Sequence, residues 1–576
     1  MLAYCGGCVY DRTQNALHKR ILNHDRQQAH QARARLNFSA ETGEKMLIGY
    51  VSDERYVALP QVQLEFEPVG AQGESIEAHS RATGSVYADL KPGRYKATLF
   101  KAGYGQKSVK IDVSSDMPPY HFRLLTDGLL GYAWPKHVRA GEKSEYRVHS
   151  VEPYQLSLWR MGYEKEFVRS LGWLDEHGPR ATMQITPDGD FTRTGVAWNS
   201  EGYTNPHHKQ YVEAPARSGL YYFHARTARG ATFSFPWVIA PARPSCKLAV
   251  LASNITWNAY NNFGGRSNYI NADALPDRPT VNARQDLMRY TDANALTYGV
   301  EDYAPLSFDR PEPINHIDLA EKISDPIEGR ASCHLAGAEW RLLGWLERHS
   351  HAYDYYAESQ LHDGTLDLSA YRALIISTHP EYWSMTMYRK VKDWVAAGGR
   401  LLYLGGNGIN CEVDFINNNT AMKVKNGDAR EVARRGLESR FAQCGESEAT
   451  LLGVVWDDRG IMTSAGLRVT DEKHWALAGT DLQTGDIFGE ASLHMRCPGG
   501  ASGHETDKIS KSSPANIRPF AKGLNIDEGG ADLLTYENEA GGMVFSAGSI
   551  TWPSSILVDV HVSKITDNVL KRFLAE

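Results

Sequence analysis

Cysteine is scarce in this chain. Its 576 residues include seven cysteines, an odd number spread over most of the sequence. They are Cys5, Cys8, Cys246, Cys333, Cys411, Cys444 and Cys497. Such a set does not form the disulfide framework of a secreted protein, so we expect a reducing, cytoplasmic setting. Cys5 and Cys8 form a C-x-x-C pair, but no second pair completes a zinc site, and a frayed terminus is the simpler interpretation.

Long apolar runs are also missing. No run approaches the ~18 residues that a transmembrane helix requires, and residues 1–23 lack the apolar region of a secretory signal. The formal net charge of −7 argues against nucleic acid or an anionic membrane as the main partner. With 42% hydrophobic and 23% charged residues, the composition is that of ordinary soluble globular proteins. The length allows about three or four domains of ~150 residues.

Motifs for nucleotide binding and covalent catalysis are absent from the predicted strand ends. The segment GGNG at 405–408 has neither the lysine of a P-loop nor the spacing of a dinucleotide site. No G-x-S-x-G or G-x-C-x-G elbow occurs there, and Cys411 follows its strand by seven residues, too far for an elbow nucleophile. Covalent serine or cysteine catalysis is therefore disfavoured, and water activated by a metal ion is the more natural route to hydrolysis.

The N-terminal part of the chain divides into three segments. Residues 1–44 are polar and rich in His, Arg and Gln, which predicts an arm or linker and makes it a candidate docking segment for a partner. Short alternating strands about ten residues apart predict a small β-sandwich over 45–125. The run LKPGRYKATL at 90–99 resembles the prealbumin-like carboxypeptidase-regulatory module. Residues 126–244 alternate in the same way, and GLYYF at 219–223 looks like the last hairpin of an immunoglobulin-like sandwich.

From residue 245 the pattern changes to alternating strands and helices. Buried strands are predicted at 247–252, 353–357, 371–377, 400–404 and 542–546, and helices at 336–350, 385–397 and 566–574. This βαβ alternation predicts a doubly wound α/β domain over 245–576. The stretch 417–539 lacks a regular pattern and is expected to form an irregular lobe inserted over the sheet.

Three of the predicted strand ends carry polar side chains to one edge of that sheet. Tyr260 follows the first strand, His379 and Glu381 follow the third, and Asn407 follows the fourth. In open α/β sheets, ligands bind outside the carboxyl ends of the strands. A phenol, an imidazole, a carboxylate and an amide together can hold a metal and support acid–base and oxyanion chemistry. The alternatives are that Tyr260 is a core aromatic residue and that His379 or Glu381 caps the next helix.

These segments resemble one enzyme family. The motifs are AYNNFGGRSNY at 259–269, LHDG at 361–364, HPEYWS at 379–384, LGGNG at 404–408 and VFSAGSITW at 544–552. In this order, and over about 247–576, they are similar to the C-terminal domain of the large (beta) subunit of N,N-dimethylformamidase. The resemblance implies a domain similar to class I glutamine amidotransferases that lacks their cysteine, here preceded by two β-sandwich modules.

The resemblance also implies a reaction and a cofactor. The family's archetype is an iron-dependent amidohydrolase whose mononuclear iron, expected as Fe3+, is held by two tyrosines and a glutamate. Carried over, Glu381 would be the carboxylate ligand and Tyr260 one phenolate ligand. His379 would be a proton-transfer group, and Asn407 would hold the substrate carbonyl or the oxyanion. The implied substrate is a small amide similar to N,N-dimethylformamide, which hydrolysis converts into a carboxylate and an amine.

The second tyrosine ligand stands at a different place in this sequence. The family pattern expects it near 307–311, where this chain has Phe308. Tyr303, five residues earlier, is the expected substitute as a metal ligand. Tyr269 is the alternative, and if neither tyrosine reaches the metal, the site departs from the family pattern.

The resemblance also implies a partner subunit, and the order of the domains allows a rival function. The family's enzyme pairs the large subunit with a much smaller one in a heterotetramer, and the arm at 1–44 is the candidate docking segment. The rival function is a non-catalytic glycan- or partner-binding protein with a degenerate amidotransferase-like domain, because β-sandwich modules ahead of an α/β domain are common in binding proteins. A second phenol close to Glu381 separates the two, since only the enzyme needs it.

Overall fold

The chain is mostly β-structure, arranged in several sheets. The computed structural model describes residues 45–70, 73–150, 152–174, 190–196, 211–281, 299–318 and 334–575. The predicted N-terminal arm and the Cys5–Cys8 pair lie outside the described residues. Among the described helices, none has both the length and the apolar character needed to cross a membrane.

The first β-module lies between residues 46 and 123. Its strands are β1 (Met46–Ser52), β2 (Gln63–Pro68), β3 (Ile76–His79), β4 (Ser85–Ala88), β5 (Gly93–Phe100), β6 (Lys107–Val113) and β7 (Tyr120–Arg123). They form one sheet in the order β4–β1–β7 and another in the order β3–β2–β5–β6. Along β5, Tyr95, Ala97 and Leu99 are buried while Arg94 and Lys96 are exposed, so one face of this sheet covers an apolar core.

The second β-module follows directly. Its strands are β8 (Leu130–Trp134), β9 (His137–Arg139), β10 (Lys143–His149), β11 (Tyr154–Met161), β12 (Lys165–Leu174), β13 (Tyr211–Glu213), β14 (Gly219–Thr227) and β15 (Thr232–Ala240), with a short helix α1 (Phe191–Thr194). The sheets have the orders β13–β10–β8 and β12–β11–β14–β15–β9. The core of this module is aromatic: the ring of Phe223 lies 5.0 Å from that of Phe235 and 5.3 Å from that of Trp237.

The C-terminal unit contains the remaining elements. Its strands are β16 (Leu248–Ala252), β17 (Leu306–Ser307), β18 (Asp354–Ala357), β19 (Ala373–Thr378), β20 (Tyr382–Trp383), β21 (Arg400–Gly405), β22 (Cys411–Ile416), β23 (Ala421–Val424), β24 (Val455–Trp456), β25 (Ser464–Ala465), β26 (Leu467–Val469), β27 (Ile487–Phe488), β28 (Ser502–Gly503), β29 (Asp507–Lys508), β30 (Arg518–Gly523), β31 (Asp532–Glu537) and β32 (Met543–Ser546). Its helices are α2 (Asn254–Tyr260), α3 (Ala336–Arg348), α4 (Glu358–His362), α5 (Met385–Ala396), α6 (Ala429–Arg435), α7 (Ala449–Leu452), α8 (Trp552–Ser555) and α9 (Val560–Leu574). Short 3-10 turns occupy Val300–Asp302, Pro313–Asn315, Leu368–Ala370, Phe441–Cys444, Trp475–Leu477 and Ile526–Glu528.

Nine of these strands form one mixed sheet, in the order β18–β16–β19–β21–β32–β31–β30–β26–β27. The first five run parallel to one another, and the others pair antiparallel. Rather than lying over the sheet as an irregular lobe, the stretch 417–539 supplies β26, β27, β30 and β31 and so widens it. These strands are two to six residues long, too short for their periodicity to stand out in the sequence.

The ends and the buried face of helix α5 are fixed by local sequence signals. The hydroxyl of Ser384 accepts a hydrogen bond from the backbone N–H of Met387 at 3.3 Å, which makes Ser384 the N-cap, as its position predicts. The helix ends before Gly398, whose φ of 106° suits glycine. Met387, Val391 and Val395 form its buried face at helical spacing. The loop between β19 and α5 is therefore held at its C-terminal end.

The order of the parallel strands reverses between β16 and β19. From β16 the chain moves outward to β18, and from β19 it moves in the opposite direction to β21. The carboxyl ends of β16 and β19 therefore border the crevice in which open α/β sheets bind ligands. The segments that follow these two strands carry Tyr260, His379 and Glu381.

Candidate functional site

Glu381 lies at this crevice, three residues after the end of β19. Its side chain is only 3% exposed. Its backbone N–H donates a hydrogen bond to the hydroxyl of Thr256 on α2, at 3.1 Å. This bond attaches the loop after β19 to the helix after β16, and it brings the Glu381 carboxylate to face Tyr260, one turn further along α2.

Two phenols converge on the Glu381 carboxylate. Tyr260 donates a hydrogen bond to Oε2 at 3.1 Å, and Tyr269 donates to Oε1 at 2.9 Å and to Oε2 at 2.7 Å. The rings of Tyr260 and Tyr269 pack with their centroids 4.1 Å apart. Tyr382 in turn donates to the hydroxyl of Tyr269 at 2.8 Å. The side-chain oxygens of Tyr260, Tyr269 and Glu381 therefore meet at one point, beside the ends of β16 and β19.

The charges of these groups follow from their surroundings. Burial and the negative charge of Glu381 raise the pKa of Tyr260 and of Tyr269 well above the usual value for a phenol. Burial favours the neutral form of Glu381, but the contact with His379 and the charge of Arg440 outweigh it and hold the pKa of this carboxyl below its usual value. The site is thus an ionised carboxylate with two neutral phenols bonded to it.

This set of donor atoms fits a hard cation. Once the phenols lose their protons, the site offers three anionic oxygen ligands, which suit ferric iron and similarly hard ions. In the part of the chain that the structure describes, no group of three or more His, Cys, Asp or Glu side chains is placed to hold a metal ion. A metal at this crevice would therefore depend on the tyrosines.

His379 lies between two carboxylates. Its Nε2 is 3.3 Å from Oε2 of Glu381 and 3.2 Å from Oε2 of Glu505, although neither contact has the geometry of a directed hydrogen bond. Its Nδ1 is 2.9 Å from Nδ1 of His334. Burial acts to lower the pKa of His379, but the two carboxylates outweigh it and raise that pKa to about 9. An imidazole held this way is suited to carrying a proton.

Glu505 is a site residue that sequence reasoning missed. It lies in the loop between β28 and β29, inside the stretch without a regular pattern. Besides its contact with His379, its Oε2 accepts a hydrogen bond from Nδ2 of Asn407 at 2.8 Å. The structure thus joins Tyr260, Glu381, His379 and Asn407, all expected from the sequence, in one network that Glu505 completes. No sequence signal pointed to residue 505, since tertiary folding alone brings it to the strand ends.

The backbone of the two loops that carry the network is strained. Thr378, Asn407 and Ile409 have φ values of 64°, 52° and 53°, in the left-handed region that residues other than glycine seldom adopt. Two hydrogen bonds tie these loops together, from the N–H of Gly406 to the carbonyl of Thr378 at 3.2 Å and from the N–H of Ile409 to the carbonyl of Pro380 at 2.7 Å. Strain of this kind persists where the surrounding structure imposes it, often at functional sites.

Tyr303 does not take the position expected for the second phenol. Its hydroxyl accepts a hydrogen bond from Nη2 of Arg440 at 3.3 Å, and Nη1 of Arg440 lies 4.0 Å from Oε1 of Glu381. The direct hydrogen bonds to the carboxylate come from Tyr269, the alternative, and from the first phenol. Phe308 is part of the buried apolar core of this unit. Tyr269, rather than Tyr303, is therefore the second tyrosine in direct contact with the Glu381 carboxylate.

Cys411, the first residue of β22, is unsuited to act as a nucleophile. Among the cysteines that the structure describes, Cys246, Cys411 and Cys444 carry free thiols. Cys411 is fully buried, and burial raises the pKa of its thiol to about 12. A thiol in this state is a poor nucleophile, which agrees with the absence of an elbow motif.

Fold and site together define a multidomain, mostly β protein with a tyrosine–carboxylate cluster at the strand ends of a mixed sheet. The model of the family described as "N,N-dimethylformamidase beta subunit-like, C-terminal" matches residues 155–565. The chain belongs to this family. The resemblance drawn from its motifs is therefore confirmed.

Individual relatives agree with this assignment. The chain is similar to the N,N-dimethylformamidase beta subunit of Paracoccus aminophilus, with 22% identity over 599 residues that cover 88% of this chain and 75% of the relative. It is similar to the corresponding subunit of an Alcaligenes species, with 25% identity over 287 residues, covering 42% of this chain and 37% of the relative. Among solved structures, the cold-adapted beta-galactosidase of Rahnella sp. R3 covers 41% of this chain and 26% of its own length, with 11% identity and a TM-score of 0.25, too low to support an argument.

Proposed function

We propose that this protein is an amidohydrolase that cleaves the C–N bond of a small linear amide with the help of a single iron ion. The observation that carries the proposal is the convergence of Tyr260 and Tyr269 on the Glu381 carboxylate, at 2.7 to 3.1 Å. Two buried phenols that meet on one buried carboxylate form a set of three oxygen donors that suits a hard cation.

Tyr260, Tyr269 and Glu381 would hold the ion. When bound, a hard cation of this kind acidifies a water molecule and polarises an amide carbonyl. The position of these residues beside the carboxyl ends of β16 and β19 supports the assignment, since an ion held by them would lie in the crevice between the two strands.

The remaining polar residues would handle protons and orient the amide. His379, held between Glu381 and Glu505, is placed to deliver its proton to the nitrogen of the departing amine and to be reprotonated by the proton that the attacking water loses. The Nδ2 group of Asn407 donates one hydrogen to Glu505 and keeps a second, which can bond the substrate oxygen. Water adds to the carbonyl carbon, the C–N bond breaks, and a carboxylate and an amine leave.

The family supports the substrate class and a partner. Both relatives are named as beta subunits of N,N-dimethylformamidase, which supports a small N,N-dialkylamide as substrate and a second, smaller subunit as partner. We place the docking segment for that subunit in residues 1–44. The parallel half of the mixed sheet, with its switch point at the site, supports a domain similar to class I glutamine amidotransferases that works without a cysteine nucleophile.

The rival function, a binding protein without chemistry, would have no use for a second phenol at Glu381. A phenol in that position favours the enzyme, since Tyr269 donates to both carboxylate oxygens. A degenerate site would be free to lose one of the two tyrosines.

Metal analysis joined to an amidase assay tests the proposal. The full chain, produced with iron, should contain stoichiometric iron and release dimethylamine from N,N-dimethylformamide. A variant with both Tyr260→Phe and Tyr269→Phe serves as the matched control and should do neither. A metal-free chain that gains no amidase activity with added iron, alone or with its small subunit, would contradict the proposal.

A further inference from the structure

Four buried histidines form a row behind the site. They are His334, His379, His494 and His504, with residue exposures between 0 and 3%. Adjacent rings lie 4.9 to 5.1 Å apart, from His379 to His334, from His334 to His504 and from His504 to His494. Only His379 belongs to the site as derived above, so the other three need a reason for being there.

Both ring nitrogens of His379 face polar groups. Nε2 of His379 faces the carboxylates of Glu381 and Glu505, at 3.3 and 3.2 Å, so this is the nitrogen turned towards the site. The other nitrogen, Nδ1, lies 2.9 Å from Nδ1 of His334. A buried ring nitrogen without such a partner would cost free energy, and the ring would turn to find one. His334 thereby determines which edge of His379 faces the carboxylates.

The contact between His494 and His504, at the far end of the row, fixes the tautomers of these two rings. Nδ1 of His494 accepts a hydrogen bond from the backbone N–H of Cys497 at 3.0 Å, so the proton of the neutral ring is on Nε2. That Nε2 lies 3.0 Å from Nδ1 of His504, which must therefore accept the bond. Burial and the charges of Arg341 and Arg496 lower the pKa of His494 to about 3, which keeps this ring neutral.

A single strained turn links the row to the site. His504 has a φ of 66°, in the left-handed region. With the backbone in this form, the side chain of His504 packs edge-on against His334 while that of its neighbour Glu505 reaches His379. Two of the contacts that orient His379, from His334 and from Glu505, therefore depend on the same turn.

We infer that His334 is a positioning residue for the amidase site: its Nδ1 holds the ring of His379 with Nε2 directed at Glu381 and Glu505, and the His494–His504 pair holds His334. This role rests on the proposed function for its catalytic consequence. Its geometric part, the orientation of His379, stands independently of metal and substrate.

Three substitutions at one position test the inference. His334→Asn places an amide where Nδ1 was, His334→Gln places it nearer to the former Nε2, and His334→Leu removes it. We expect His334→Asn to keep kcat within a few-fold of the wild type. His334→Gln and His334→Leu should lower kcat about 10- to 100-fold, with KM for N,N-dimethylformamide and iron content nearly unchanged. His561→Gln, on α9 away from the row, is the control.

Crystal structures of the metal-free variants give a readout that does not depend on activity. The distances from His379 Nε2 to Glu381 and Glu505, 3.3 and 3.2 Å in the wild type, should persist in His334→Asn and lengthen in His334→Leu as the ring turns. A wild-type protein without iron or amidase activity would refute the proposed function and leave this structural test in force.

Two results would overturn the inference. One is a folded His334→Leu protein with wild-type kcat and an unmoved His379 ring. The other, which decides the matter if the leucine variant does not fold, is a wild-type kcat in both His334→Asn and His334→Gln.

Discussion

Tyr269 donates hydrogen bonds to both carboxylate oxygens of Glu381, at 2.9 Å to Oε1 and 2.7 Å to Oε2. A phenol that spans a carboxylate in this way lies within reach of any ion bound to either oxygen. A cation that binds all three side chains would displace the proton of Tyr269 and that of Tyr260.

The two candidates for the second phenol can be separated by paired substitutions. Tyr269→Phe, like Tyr260→Phe, should abolish iron binding and with it the visible absorbance of a phenolate bonded to iron(III), because an anionic ligand is lost. Tyr303→Phe removes a buried phenol that bonds Arg440 instead, and it should keep both properties. Absorption spectra and iron analysis are the measurements. Full iron in Tyr269→Phe together with loss in Tyr303→Phe would reverse the assignment.

Substitutions of Glu381 and His379 should have different effects on iron content. Glu381→Gln keeps the shape of the side chain but not its charge, so iron content and turnover should both collapse while the fold remains. His379→Ala should keep the iron and lose about 10²- to 10⁴-fold in kcat, as expected for a group that carries a proton. Iron analysis and steady-state kinetics on the same preparations check both. A glutamine variant with full iron would show that the carboxylate is not a ligand.

Glu505→Gln tests the residue that the sequence did not reveal. The substitution removes the charge beside His379 while an amide oxygen can still accept from Asn407. We expect kcat to fall about 10- to 100-fold with iron retained, an effect typical of residues that support a metal ligand or its neighbour. Glu528→Gln, at an exposed position, is the control for the change of charge. An unchanged kcat would remove Glu505 from the site.

Glu448 gives a prediction about stability rather than activity. It is fully buried, Ser439 donates to one of its oxygens, and burial raises its pKa from 4.5 to about 8. Between these two values the folded chain keeps the proton that the unfolded chain loses. The contribution of this group to stability is therefore greatest below pH ~4.5 and falls as the pH rises towards 8, by a few kcal/mol at most.

Glu448→Gln should remove that dependence, because the amide stays neutral and keeps its shape. The midpoint of thermal unfolding of the variant, compared with the wild type, should be similar at pH 5 and higher at pH 8. Equal midpoints at both pH values would show that Glu448 is not protonated in the folded chain at pH 5.

Some parts of this fold can be predicted from the sequence for a clear reason. The parallel strands β16, β19 and β21 are buried on both faces, so each is a continuous apolar run that marks its own end. Because those ends meet at one edge of the sheet, the sequence alone is enough to group Tyr260, His379, Glu381 and Asn407. The antiparallel half of the sheet cannot be found in this way, since β26 and β27 have three and two residues.

Other residues of the site could not be predicted from the sequence, for a different reason. Glu505 and His334 follow no strand of the parallel set, and only the packing of distant segments brings them to His379. Tyr269 is no more than an alternative in the sequence, because the family pattern points to a position beyond residue 300. The turn between Tyr260 and Tyr269, in which Gly264 has a φ of 99°, returns the chain to the same carboxylate.

Thr378 and Ile409, with φ values of 64° and 53°, bear on how this protein would respond to selection for heat resistance. A β-branched residue in the left-handed region costs on the order of 1–3 kcal/mol, a cost that glycine avoids. A screen that scored only survival on heating would therefore favour glycine at Thr378, whereas at Ile409 glycine would remove a fully buried side chain, which costs more than the strain. Glycine at Thr378 would also loosen the loop that aims His379, so the more durable variant should be the slower catalyst.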